Sequence, residues 1–343
     1  MKALTLIEYN NLVYGDAPDP QIGDDQVLVR VRACGICGSD VHGMDGSTGR
    51  RIPPVIMGHE AAGAIAEVGK SVTEWKPGDR VTFDSTISCG ACWFCQRGWI
   101  NLCDHRRVIG VSCGEYRQHG AFAEYLALPA RILYRLPDSV SFEQAAMVEP
   151  VSVAVHGVGR TRVSLGDSAV VMGTGMIGLL VVQALRAAGC GKIIAVDLEP
   201  EKLDLALRFG ADVTLKADAC DVAEEVKKHT GGRGADVALE VIGLGTTIHT
   251  AIASLRKGGT LTLVGNFRPT AEIPLQVVVT RQLTLAGSCA SSNEYPACLD
   301  LLGRRAIQTE ALVSATPPLA EGAAWFKRLH AREPGLLKVI LEC

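Results

Sequence analysis

The chain has 343 residues, 48% of them hydrophobic and 21% charged, with 34 Lys plus Arg against 37 Asp plus Glu. That composition excludes a disulfide-stapled miniprotein and a wholly disordered tail, and the length favours two domains. A net charge of -3 supplies no broad cationic face for a nucleic-acid backbone or an anionic membrane.

In chain order, Leu4 to Ile7 meets Glu8 and Asn10 before a signal-peptide core can form, and no run of about 18 apolar residues occurs further along. The expectation is a cytoplasmic protein that neither spans a membrane nor binds nucleic acid. Residues 26–32 and 61–68 read as strands, with turns at Gly23-Asp24-Asp25, Pro53-Pro54 and Lys76-Pro77-Gly78-Asp79, which predicts a loop-rich β domain. From about Val151 apolar strands (167–172, 192–197, 235–241, 259–264, 283–286) alternate with amphipathic helices (176–188, 201–209, 222–229, 246–254). Such alternation predicts parallel β-α-β packing with helices on both sheet faces. It fades near residue 290, leaving helices at 295–303 and near 320–328 and a last strand at 337–341.

The strand at 167–172 runs into Gly173-Thr174-Gly175-Met176-Ile177-Gly178, and Asp197 ends the next strand nineteen residues after Gly178. Gly173 makes the tight turn, Gly175 lets backbone approach a pyrophosphate, and Gly178 permits close helix–strand packing. The helix opening at Met176 and Ile177 offers amides and a positive dipole end to phosphate. Asp197 would accept hydrogen bonds from the adenosine ribose and repel a 2'-phosphate, which favours NAD over NADP. An arginine from elsewhere in the fold would reverse that preference.

Of twelve cysteines, Cys89, Cys92, Cys95 and Cys103 fall within fifteen residues. In a chain without an export signal this spacing reads as metal binding, and a tetrathiolate without a water position fits structural zinc. An iron–sulfur cluster is the competing occupant. A looser constellation joins Cys37-Gly38-Ser39-Asp40, His42, Gly58-His59-Glu60 and Glu149-Pro150. Cys37, His59 and one carboxylate would form a thiolate–imidazole–carboxylate set with an open fourth position, whose roughly two negative charges offset Zn²⁺. Each of these residues also has an ordinary packing or turn role.

Together these motifs resemble those of the zinc-containing medium-chain alcohol dehydrogenases, in their polyol branch of sorbitol and galactitol type, with butanediol and threonine dehydrogenases as neighbours. The resemblance runs nearly end to end. It implies an α/β chain in which a GroES-like catalytic β domain, residues 1–150 and 290–343, encloses a doubly wound, NAD-binding Rossmann domain, residues 151–289. It implies catalytic zinc on Cys37 and His59, with Glu149 bound directly or through water and Glu60 as a neighbouring acid that approaches the metal. Structural zinc would sit on Cys89, Cys92, Cys95 and Cys103. Ser39 would carry the substrate proton and His42 would relay it to solvent. Val264, Gly265, Ser288 and Cys289 would meet the nicotinamide carboxamide.

The expected reaction is reversible oxidation of a secondary alcohol, preferably a polyol, to a ketone, in a homotetramer or homodimer. 2,3-Butanediol, L-threonine and polyol phosphates are alternative substrates. Residues 287–292 carry no arginine where many sorbitol-type enzymes have one, which argues against a strict sorbitol assignment. Asp45 and Ser47 are candidate hydroxyl contacts, and Arg50 with Arg51 is a candidate phosphate contact. A noncatalytic nucleotide-binding sensor and a zinc-stabilised interaction module are the readings from other classes.

Overall fold

A computed structural model describes residues 1–343. The chain divides into two compact units, Met1–Glu149 with Tyr295–Cys343, and Pro150–Glu294. The expected fold class holds, a β domain built from both chain ends with a doubly wound α/β domain inserted.

In the first unit a seven-stranded sheet runs in the order Leu133–Arg135, Arg80–Phe83, Glu60–Val68, Gln26–Gly35, Lys338–Glu342 and Val313–Ala315, with Tyr125–Pro129 also paired to Gln26–Gly35. Along Gln26–Gly35, Val27, Val29 and Val31 are buried while Arg30 and Arg32 are exposed, the alternation of a half-buried strand. From Ala33 onward both faces are buried, so this strand end enters the interior. Its register places Gly35 opposite Glu60 on one side and Ile340 on the other. Residues distant in sequence, Cys37, His59 and Lys338, are therefore delivered to one end of the sheet. Phe326, Val339 and Leu341 from the C-terminal segment share a core with Leu4, Phe83 and Phe122. Phe122 and Phe326 meet edge to face at 5.6 Å, one reason the chain end returns to this unit.

The second unit carries six parallel strands in the order Val213–Lys216, Lys192–Asp197, Ser168–Met172, Ala235–Glu240, Leu255–Leu263 and Thr284–Gly287. Ser168–Met172 and Ala235–Glu240 flank the point where strand order reverses, the place at which open α/β sheets bind ligands. Ala169 to Met172 and Ile193 to Val196 are continuously buried, as expected of strands covered on both faces. No helix is long and apolar enough to cross a membrane.

Candidate active site, zinc lobe and nucleotide turn

Cys37 caps the short helix Gly38–Met44, its sulfur accepting from the Ser39 amide at 3.4 Å and the Ser39 hydroxyl at 3.3 Å. Gly58 precedes His59 at φ +93°, and a Cβ there would stand 2.9 Å from both Cys34 Sγ and the Phe122 amide. Glycine thus lets the chain turn His59 inward. The ligand atoms of Cys37, His59 and Glu60 all lie within 4.8 Å of one another, close enough to converge on one ion.

His59 Nδ1 stands 3.4 Å from Oδ2 of the fully buried Asp40, within ion-pair reach but outside hydrogen-bond geometry. Burial would lower the His59 pKa, but Asp40 and Cys37 outweigh it and hold it well above the usual value. Burial works the other way on Asp40, yet His59 and Arg51 keep its carboxyl far below the ordinary range. Burial, reinforced by the neighbouring Glu60, pushes Glu149 up to about 7 against the pull of His59 and Lys338. Without a metal, His59 and Glu149 thus hold protons that a cation would displace, and the thiol, imidazole and carboxylate donors gathered here fit zinc.

Glu149, the second residue of the helix Val148–Thr161, stands outside the compact three-residue set. Glu60 stands within it but is also ion-paired to the buried Lys338, which donates to the Ile36 carbonyl as well. Ser39 and His42 are both exposed and lie three residues apart, on one face of their helix.

The four-cysteine group is independent of sheet register. Cys89 and Cys95 Sγ are 3.9 Å apart, near the roughly 3.8 Å edge of a tetrahedron with Zn–S of about 2.3 Å. Amides of Ala91 and Cys92 point at Cys89 Sγ, and those of Cys89 and His105 at Cys103 Sγ. The amides of Cys95 and Asp104 bring Cys92 down to about 6, whereas burial and the neighbouring Cys92 push Cys95 up to about 12. Four thiolates cannot coexist here without a cation, so this set also fits zinc.

At the nucleotide turn, a Cβ on Gly178 would lie 1.9 Å from the Gly173 carbonyl, while one on Gly175 would meet nothing within 4 Å. Gly178 is the helix–strand contact and Gly175 faces open space. The helix Met176–Ala187 has no side-chain cap, so its first amides are available to a phosphate. Asp197 Oδ2 accepts from the Thr174 amide at 2.6 Å and its hydroxyl at 3.0 Å, and Oδ1 from the amides of Leu198 and Glu199. At the sheet end, Val264 and Gly265 donate to the Glu240 carbonyl, and a Cβ on Gly265 would lie 2.2 Å from the Gly243 amide. Ser288 Oγ is buried without a hydrogen-bond partner, an orphan a bound ligand would satisfy, whereas Cys289 is exposed.

Two expectations need correction. Arg51 is 3% exposed and paired to Asp40, so it offers nothing to a phosphate, while Arg50 is exposed. Asp45 accepts from the Ser47 amide and faces His330 at 3.4 Å, and Ser47 Oγ donates to the His42 carbonyl, so both serve the local turn. Sequence reading assigned no role to Asp40, Lys338, Thr174 or Glu240. Of these only Asp40, at the third helical position after Cys37, left a local signal, that of a capping box. Glu240, buried, pins the turn after its strand by accepting from Ile242, Gly243 and the Thr247 hydroxyl.

A Cys–His–carboxylate set, a four-thiol lobe and an uncapped nucleotide turn in one chain define a zinc-dependent, NAD(P)-linked oxidoreductase. Residues 23–138 match the family model of the alcohol dehydrogenase GroES-like domain, and residues 177–304 that of zinc-binding dehydrogenase. The chain belongs to the zinc-binding medium-chain dehydrogenase/reductase family and is closely related to its sorbitol- and xylulose-type polyol dehydrogenases. It is 37% identical over 319 residues to the sorbitol dehydrogenase of Bacillus subtilis, covering 92% of this chain and 89% of that protein. It is 35% identical over 327 residues to the D-xylulose reductase A of Aspergillus oryzae, covering 93% and 90%. Among solved structures it resembles a zinc-binding dehydrogenase of Sinorhizobium meliloti 1021 bound to NADP, with TM-score 0.92 and 32% identity over 100% of this chain and 99% of that one.

Proposed function

We propose that the protein catalyses reversible oxidation of a secondary alcohol, preferably a polyol, to a ketone with NAD. Cys37, His59 and a carboxylate would hold the catalytic zinc, and Cys89, Cys92, Cys95 and Cys103 the structural one. The observation that carries this is the convergence of Cys37, His59 and Glu60 within 4.8 Å, beside a Ser39 hydroxyl already bonded to the Cys37 sulfur.

Zinc supplies a Lewis acid that lowers the pKa of a substrate hydroxyl, and the nicotinamide accepts the hydride. The rest is the work of this chain. Asp40 orients the His59 imidazole, Ser39 Oγ takes the substrate proton, and His42, exposed on the same helix face, passes it to water. Glu149, at about 7, is the carboxyl best poised to exchange its proton for a metal, while the ion pair with Lys338 holds Glu60 beside the site. Gly173 to Gly178 would receive the pyrophosphate, Asp197 would bind the adenosine ribose, and Val264, Gly265, Ser288 and Cys289 would hold the carboxamide.

The relationship to sorbitol and xylulose enzymes supports a polyol over threonine or 2,3-butanediol. The burial of Arg51 removes one of the two arginines that spoke for a polyol phosphate. We also read the protein as a homo-oligomer, supported by the exposed Leu275 and Val279 and the edge strand Thr284–Gly287, and prefer a tetramer to a dimer on the family resemblance alone.

The test is NAD reduction by sorbitol, galactitol, xylitol, 2,3-butanediol, threonine and polyol phosphates, with zinc content measured alongside. Preference for a free polyol is expected. A folded protein with both zincs that binds no NAD(H), or a rate that survives removal of the metal at Cys37 and His59, overturns the reading.

A further inference from the structure

Arg51 is the one buried arginine of the first unit that reaches the candidate metal site. Its Nε and Nη2 both donate to Asp40 Oδ1, at 3.2 and 2.8 Å, and Nη2 also lies 3.3 Å from Ser39 Oγ. Asp40 is thereby divided. Oδ1 faces Arg51, and Oδ2 faces His59 Nδ1 and the Cys37 amide, each at 3.4 Å. The guanidinium reaches this position by crossing Gly43 of the intervening helix, where a Cβ would stand 2.3 Å from Arg51 Cγ. Its own backbone is tied by a bridge to Ser112, and Nη1 donates to the Arg50 carbonyl.

A buried ion pair gives little net stability over well-packed apolar residues, so its geometry needs another account. The hydroxyl of a serine has one proton and two lone pairs. One lone pair is held by Arg51 and the hydroxyl proton is directed at the Cys37 sulfur, so Ser39 keeps a single acceptor site, which fixes the direction from which it can take a proton.

We propose that Arg51 is a positioning residue shared by the metal site and the proton path, fixing His59 through Asp40 and the Ser39 hydroxyl directly. This rests on the zinc dehydrogenase reading above and extends it to a residue that touches neither metal nor substrate. Two consequences separate the role from that of a simple structural pair. A lysine can neutralise Asp40 but, as a point charge, cannot serve both Asp40 and Ser39 in the fork geometry of a guanidinium. An alanine at Gly43 leaves every charge in place and improves helix propensity, yet displaces the Arg51 side chain.

The experiment uses full-length protein loaded with cobalt(II) or zinc. Cys37→Ser provides the spectrum of the cysteine lobe alone, so the difference isolates the site at Cys37 and His59. For Arg51→Met, metal loss to a chelator from that site should quicken by about 10- to 100-fold, its cobalt absorption should change, and the lobe should lose metal at the wild-type rate. Arg51→Lys should recover metal retention but not kcat, with KM for the alcohol little changed. Gly43→Ala should reproduce Arg51→Met in metal loss and kcat with both charges still present, and a native circular-dichroism spectrum in either variant keeps the test intact if the other folds poorly. Wild-type spectrum, retention and kcat in Gly43→Ala, or full recovery of kcat in Arg51→Lys, would overturn the role of Arg51 alone. A wild-type protein that takes up metal only in the cysteine lobe would overturn the zinc dehydrogenase reading and this proposal with it.

Discussion

The two metal-ready groups are built on opposite principles. The cysteine lobe is local: four sulfurs within fifteen residues, bonded by amides of the same loop, with Cys89 and Cys103 joined directly by an amide-to-sulfur contact. The Cys37–His59–Glu60 set is tertiary, since the register of Gln26–Gly35 against Glu60–Val68 is what brings its two segments side by side. A local site should fail locally. A site made by register should fail in its chemistry while its sheet survives.

The largest expected effect tests that contrast directly. Cys37→Ser should lower turnover at least about a thousandfold, since several kcal/mol of transition-state charge stabilisation go with the metal. Its sheet should stay folded, because Val27, Val29 and Val31 still anchor the strand, and its melting temperature should match that of the wild-type protein with this one site empty. Steady-state kinetics beside calorimetry would show the split, and joint collapse of both would mean that the metal holds the sheet together. Cys92→Ser should do the reverse, costing one zinc equivalent and exposing residues 89–103 to proteolysis. Activity in the fraction that stays folded should fall by less than about tenfold. Mass spectrometry of limited digests would check it.

A smaller effect comes from protonation. In the metal-free protein Glu149 titrates at about 7 instead of 4.5, and His59 well above 6.5, so the folded state retains protons that the unfolded chain has released. Apoprotein stability should therefore fall as pH rises from about 4.5 through 7. Zinc expels these protons, so its stabilising effect should grow over the same interval. The difference in melting temperature between zinc-loaded and metal-free protein, corrected by the same difference in Cys37→Ser, isolates this site from the lobe. A corrected difference that shrank with pH would contradict the protonation of Glu149 and His59.

What could be read from the sequence divides along the same line. The lobe was legible because its ligands share one loop, and the nucleotide turn because Gly173, Gly175 and Gly178 obey a fixed spacing. Cys37 and His59 were harder, since nothing in their local sequence states that Gly35 pairs with Glu60. Lys338, 278 residues from Glu60, gave no signal at all. Arg51 shows the error most plainly: two adjacent arginines in a polar loop read as a solvated or phosphate-binding pair, and only the missing side chain at Gly43 reveals where one of them goes.

The nucleotide turn lies between the two extremes and offers the finest test. Its glycines are contiguous, but Asp197 arrives from the neighbouring strand and is held by Thr174, inside the glycine motif itself. With two donors on each carboxylate oxygen, Asp197 is oriented before any ribose reaches it, and a ribose hydroxyl must share or replace one of them. Asp197→Ala should erase most of the preference for NAD over NADP by removing the charge that repels a 2'-phosphate. Thr174→Val keeps that charge and the backbone donor and removes only the hydroxyl bond, one of the four donors that hold the carboxylate. The NAD to NADP ratio of kcat/KM should therefore shift by only a few-fold, and titration with AMP and 2'-AMP should show the same shift without catalysis. If Thr174→Val changed discrimination as much as Asp197→Ala, orientation rather than charge would be selecting the cofactor, and the turn would belong with the sites made by register.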